Sequence, residues 1–170
     1  LWTGHWLGMA VGYLIVMGGK NTAHLLYLGR PGRFWRAALR PDRSWIARGT
    51  WATGVLGLTG FLLLFPQALE PYWQLGGQSE TVVSWLAGLS ALFIMFYDGL
   101  VMNASRSIPF WSTPLLPVLC LSYAILGGTT MSITLRELRG EAVPSSLVSL
   151  EFSFLVINLL LLGVYLFLLA

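Results

Sequence analysis

Apolar residues in this chain do not alternate; they run in long blocks separated by short polar stretches. Five blocks stand out, over residues 6–27, 50–65, 82–103, 114–134 and 147–170. An α-helix needs about 20 mainly apolar residues to cross a hydrocarbon core about 30 Å thick, so the pattern predicts five membrane-spanning helices. Small residues inside the blocks predict helix contacts, because a missing side chain lets two backbones approach. These are Gly18-Gly19 in the first block and Gly54, Gly57 and Gly60 in the second. Gly127-Gly128-Thr129-Thr130 in the fourth suits either a helix contact or a local unwinding, and Pro117 stands in that block's first turn, where proline is tolerated. In the connection 66–80, Tyr72 and Trp73 read as interfacial anchors.

Composition agrees with the blocks. Of 170 residues 56% are hydrophobic and only 10% charged, with a mean hydropathy of +0.72. A soluble domain carries about 25% charged residues. The expected fold is therefore an all-α integral membrane protein, a polytopic helix bundle forming a single transmembrane domain over residues 1–170. The chain opens at Leu1 rather than methionine and ends inside an apolar run, so it is expected to be a piece of a larger bundle. The first apolar block is too long for a cleavable signal peptide. A net charge of +3 could suggest nucleic acid, but the cations sit in the connections between blocks, which sets that reading aside.

Redox chemistry held by the chain itself is excluded on residue counts. One cysteine, Cys120, cannot hold an iron–sulfur cluster, which takes about four thiolates. His5 and His24 stand near opposite ends of one predicted helix and cannot sandwich a haem. No haem, cluster or metal is expected in the chain, and any electron transfer must use a centre held elsewhere.

Charge is concentrated in one place. Arg30, Arg33, Arg36, Arg40, Arg43 and Arg48 lie among Phe34, Trp35 and Trp45, with Pro31 and Pro41 between them. With five spans, this loop and Arg106 share one face, whose seven arginines against Asp42 give a net +6. The other face has Arg136 and Arg139 against Glu70, Glu80, Glu137 and Glu141, a net −2. The positive-inside rule would make the basic face cytoplasmic. A retention loop lying among headgroups is the simpler reading; its prolines and aromatic spacing favour a docking surface for an acidic soluble partner.

Ionisable residues inside spans are costly and usually face the bundle interior. Lys20, His24 and Tyr27 fall at i, i+4 and i+7, on one helical face. Lys20 lies about 12 Å below the basic face, and Asp98 about 10 Å, at 1.5 Å per residue. The matched depth predicts a Lys20–Asp98 pair with His24 and Tyr97 within a turn. Such a set could bind a quinone: its carbonyls take hydrogen bonds, and its reduction needs two protons delivered away from water. A structural ion pair beside an interfacial histidine is an equal reading of the same residues.

Two stretches resemble a known family. Leu28-Gly29-Arg30-Pro31, Arg33-Phe34-Trp35-Arg36, Arg40-Pro41 and Ser44-Trp45 form the first. Tyr97-Asp98-Gly99-Leu100, Ser105-Arg106, Ile108-Pro109-Phe110-Trp111 and Thr113-Pro114-Leu115-Leu116-Pro117 form the second. Together they resemble the membrane-anchor family of polysulfide, nitrite and dimethyl-sulfoxide reductases (NrfD/PsrC/DmsC-like). The resemblance implies a multi-pass, haem-free bundle of the prokaryotic cytoplasmic (inner) membrane in anaerobic respiratory electron transport. It implies menaquinone or ubiquinone as cofactor, bound near Tyr97, His24, Lys20 and Asp98. Asp98, Lys20 and His24 are then the candidates for proton transfer. It also implies partners: a four-cluster iron–sulfur subunit docked over Arg30, Arg33, Trp35, Arg36, Arg40, Arg43, Arg48 and Arg106, and a molybdopterin-type catalytic subunit. Lys20 and Asp98 depart from the family pattern.

Two other functions fit the same residues. One is a proton- or ion-translocating coupling subunit, suggested by Ser122, Tyr123, Thr129, Thr130 and Glu151. The other is a small-solute transporter or a purely structural anchor.

Overall fold

The computed structural model describes residues 6–65, 76–105, 107–108 and 110–169. Tyr72, Trp73, His5, Arg106 and Pro109 lie outside the described residues. Those described form helices and turns, with no strand among them. The first apolar block is helical throughout but not uniform: α1 (Trp6–Leu14) passes into a π-helical stretch, Ile15–Lys20, and then into α2 (Asn21–Tyr27). A 3₁₀ helix, Pro31–Leu39, precedes α3 (Trp45–Leu64). Then follow α4 (Gln78–Asn103), α5 (Leu115–Leu138) and α6 (Ser145–Leu169).

Three of these helices, α4, α5 and α6, are long and apolar enough to cross a membrane, and few of their residues are buried. Among the described residues no large side chain is fully buried, and large apolar side chains such as Leu89, Phe152 and Phe167 lie exposed. In water such a surface would be unfavourable; in lipid it is the expected one. The chain is an α-helical protein of membrane type. The other two predicted spans do not reach the same standard. The π-helical stretch divides the first, and α3 carries Arg48, Thr50, Thr53 and Thr59 within its 20 residues.

Helix boundaries shift from the sequence reading for local reasons. The second helix begins at Trp45 rather than residue 50 because Ser44, in extended conformation, caps it by accepting a hydrogen bond from Ala47 N–H at 3.4 Å. Arg48 is therefore a helical residue. The helix of the fourth block, α5, continues to Leu138, taking in Arg136 and Glu137. Gly140, at φ +66°, ends it in a Schellman turn: Glu141 N–H donates to Arg136 O and Gly140 N–H to Glu137 O, each at 2.9 Å. Glu141 also meets Arg139 at 3.0 Å and Arg136 at 3.7 Å.

The chain divides into two compact units, Leu1–Ile94 and Met95–Ala170, with the division inside α4. In the first unit α1 packs on α3. Tyr13 O–H donates to Gly57 O at 2.8 Å and Trp6 Nε1–H to Leu64 O at 3.5 Å. Met17 and the Tyr13 ring occupy the space that side chains at Gly57 and Gly60 would need, while Gly54, Gly18 and Gly19 meet nothing. In the second unit α5 and α6 form an antiparallel hairpin. Gly127-Gly128-Thr129-Thr130 stays helical there, with Thr129 buried.

Candidate functional site

In the first unit, the π-helical stretch ends at Lys20, one turn before His24. A π turn is wider than an α turn and is common at functional sites. Asn21 reaches back to the Met17 sulfur at 3.6 Å. His24 Nδ1 lies 2.8 Å from Lys20 O. A carbonyl can only accept, so Nδ1 carries the proton in this contact. In the neutral ring, that leaves Nε2 as a lone pair facing outward. Ala23, His24, Tyr27 and Leu28 line an open depression of about 400 Å³, within the range of small-molecule sites. The lining is apolar apart from the His24 ring and the exposed Tyr27.

In the second unit, Tyr97 and Asp98 are half-buried, consecutive residues of α4. The next residue, Gly99, is buried. A Cβ added there would lie 2.4 Å from Pro117 Cα and 2.9 Å from Leu116 O, so backbone meets backbone at this crossing. The glycine thus sets Tyr97 and Asp98 beside the first turn of α5. Lys20 and His24 belong to the first unit, Tyr97 and Asp98 to the second.

The basic segment has internal order. Arg48 Nε–H donates to Pro41 O at 2.8 Å and Nη2–H to Asp42 O at 2.9 Å, with its guanidinium 4.5 Å from the Trp45 ring. Its role in this structure is to fold the segment back on the start of α3. Trp51 Nε1–H donates to Ala38 O at 3.0 Å, tying the 3₁₀ helix to α3. Arg43 pairs with Asp42 at 3.3 Å, an exposed contact of small energetic weight. Arg30, Arg33, Trp35, Arg36 and Arg40 are exposed, with Arg36 5.5 Å from the Trp35 ring.

Polar side chains also join α5 to α6. Ser122 Oγ–H donates to Asn158 Oδ1 at 2.8 Å, and Asn158 Nδ2–H₂ donates to Ser122 O at 3.3 Å and Phe154 O at 2.7 Å. Nearer the α5–α6 turn, Thr130 Oγ1 lies 2.6 Å from Glu151 Oε1. At the opposite end Tyr165 O–H donates to Phe110 O. Among the described residues, no three His, Cys, Asp or Glu side chains come together as a metal site would require. Sequence reasoning singled out Ser122, Thr130 and Glu151 without their cross-helix partnerships, which join residues as far as 36 positions apart.

Comparison of the chain with protein-family models, curated proteins and solved structures gave no match.

Proposed function

We propose that the chain is a membrane subunit that binds quinone or quinol and exchanges electrons with an iron–sulfur partner docked on its basic segment. The observation that carries the proposal is the hydrogen bond of His24 Nδ1 to Lys20 O, which leaves Nε2 as the ring's accepting nitrogen on a residue that lines the depression. A quinone, as menaquinone or ubiquinone, supplies the two-electron, two-proton couple. His24 Nε2 accepts a hydroxyl proton from quinol and, once protonated, donates it back. Tyr97, Lys20 and Asp98 are the further candidates for hydrogen bonding and proton transfer.

In this reading the first apolar block and α3 are also spans, giving five. The chain is then one piece of a larger bundle in a prokaryotic inner membrane, with a molybdopterin-type or similar catalytic subunit beyond the iron–sulfur partner. The exposed arginines suit an acidic partner surface, since cationic patches steer oppositely charged proteins. The experiment is photolabelling of the membrane-embedded chain with an azido-quinone. Label should fall on the peptide holding His24–Tyr27 and be competed by unlabelled quinone. Label confined to other segments, or not competed, would rule the site out.

The Thr130–Glu151 contact inside two candidate spans favours a second role, in moving protons across the membrane. Reconstituted vesicles would then acidify beyond the scalar protons of quinol chemistry, and scalar protons alone would dismiss that role.

A further inference from the structure

We infer that the 3₁₀ helix Pro31–Leu39 is a membrane-surface element whose arginine ladder, Arg30, Arg33 and Arg36, takes the phosphates of anionic phospholipids. A 3₁₀ helix has three residues per turn, so side chains at i and i+3 eclipse one another. Arg33 and Arg36 therefore stack in one column, and Arg30 stands just before the first turn in non-helical conformation. Phe34 and Trp35 occupy the other two columns, about half exposed at 49% and 52%. Arginine beside half-exposed aromatics is the chemistry of the headgroup layer, where rings sit at the polar–apolar boundary and guanidinium forks match phosphate oxygens.

The other cations of the segment are differently engaged. Arg48 holds backbone carbonyls and Arg43 holds Asp42, the only carboxylate between Leu28 and Arg48. The ladder thus presents uncompensated positive charge on one side, while Trp51 fastens the helix to α3 on its backbone. A flexible retention loop would not hold Arg33 and Arg36 in one column. The inference rests on the reading of the first apolar block and α3 as spans, which puts the segment at a membrane surface. It leaves Arg40, further along the segment, for the protein partner.

The test uses the full chain in bilayers of phosphatidylcholine and phosphatidylglycerol, with spin-labelled lipids reporting the association of each at the protein surface. An arginine near an anionic surface contributes about a fivefold preference, on the order of a hundredfold for three. The triple variant Arg30→Gln, Arg33→Gln, Arg36→Gln should lose most of the preference for phosphatidylglycerol. The corresponding triple lysine variant should keep most of it, and Arg139→Gln should leave it unchanged. A nitroxide at Gly32→Cys, where added atoms meet nothing, in a Cys120→Ser background should report headgroup depth. A nitroxide in bulk water would remove the five-span reading and this inference together. Headgroup depth with unchanged lipid preference in the glutamine triple would overturn the inference alone. So would a glutamine triple that keeps its lipid preference but loses binding to an acidic soluble protein, since the ladder would then be a protein surface.

Discussion

The two units hold their helices together by different means. In the first, α1 and the π-helical stretch meet α3 through side chains laid over glycines: Met17 at Gly57 and the Tyr13 ring at Gly60, with Tyr13 O–H bonded to Gly57 O. In the second, α5 meets α6 through polar side chains bonded across the hairpin, Ser122 with Asn158 and Thr130 with Glu151. Lipid offers helices no hydrophobic reason to associate, so close packing and interhelical hydrogen bonds must supply it. Each unit relies on one more than the other. The exception is Gly99 in the second unit, where the glycine faces backbone rather than a side chain.

That difference can be broken experimentally. Gly99→Val should do the most damage, because its Cβ would lie 2.4 Å from Pro117 Cα and backbone cannot swing away. A loss of about 1–3 kcal/mol is expected from overpacking, read as a lowered unfolding midpoint in detergent micelles. A midpoint at the wild-type value would mean that α4 does not cross the start of α5 as described.

Asn158→Leu comes next. It removes the bonds to Ser122 and Phe154, yet Ser122 keeps Leu119 O at 3.1 Å as an acceptor. Interhelical hydrogen bonds in membranes contribute about 0.6 kcal/mol on average and up to about 1.7. A double-mutant cycle with Ser122→Ala should return a coupling in that range, and zero coupling would deny the cross-helix pair. Smallest is the contrast between Gly57→Ala and Gly54→Ala. Alanine is better than glycine in a helix by up to about 1 kcal/mol. Gly54→Ala should show that gain in full, since its Cβ meets nothing. At Gly57 the Met17 methyl must shift from 2.6 Å, so the gain should shrink or vanish. Equal gains at both positions would mean that Met17, in the π-helical stretch, does not rest on α3 there.

Much of the fold was legible from the apolar blocks, because a span needs only length and composition to declare itself. The glycine spacing in α3 also pointed to a packing face, although Gly54 turned out to face away. What stayed hidden was whatever depends on local backbone geometry or on distant partners. Nothing in Ile15–Lys20 but the Gly18-Gly19 pair hints at a π turn, and that turn splits the first predicted span. Arg48 looked like one more docking cation. Only folded does its guanidinium reach Pro41 and Asp42 carbonyls, because Ser44 starts α3 earlier than the apolar pattern does.

Of the candidate site, the spacing of Lys20 and His24 was readable in full. The tautomer that makes His24 useful was not, since it is set by a carbonyl common to every residue. The part played by Asn158 was not legible, because its partner lies 36 residues away on α5.

The central claim is that His24 Nε2 serves a quinone headgroup. The most direct measurement is a calorimetric titration of a soluble quinol analogue against the purified chain and its His24→Phe variant, both shown helical by circular dichroism. One hydrogen bond corresponds to about 0.5–1.5 kcal/mol, so the variant should bind roughly three- to tenfold more weakly. Equal affinity in the two proteins, or no binding by the wild-type chain, would contradict the account.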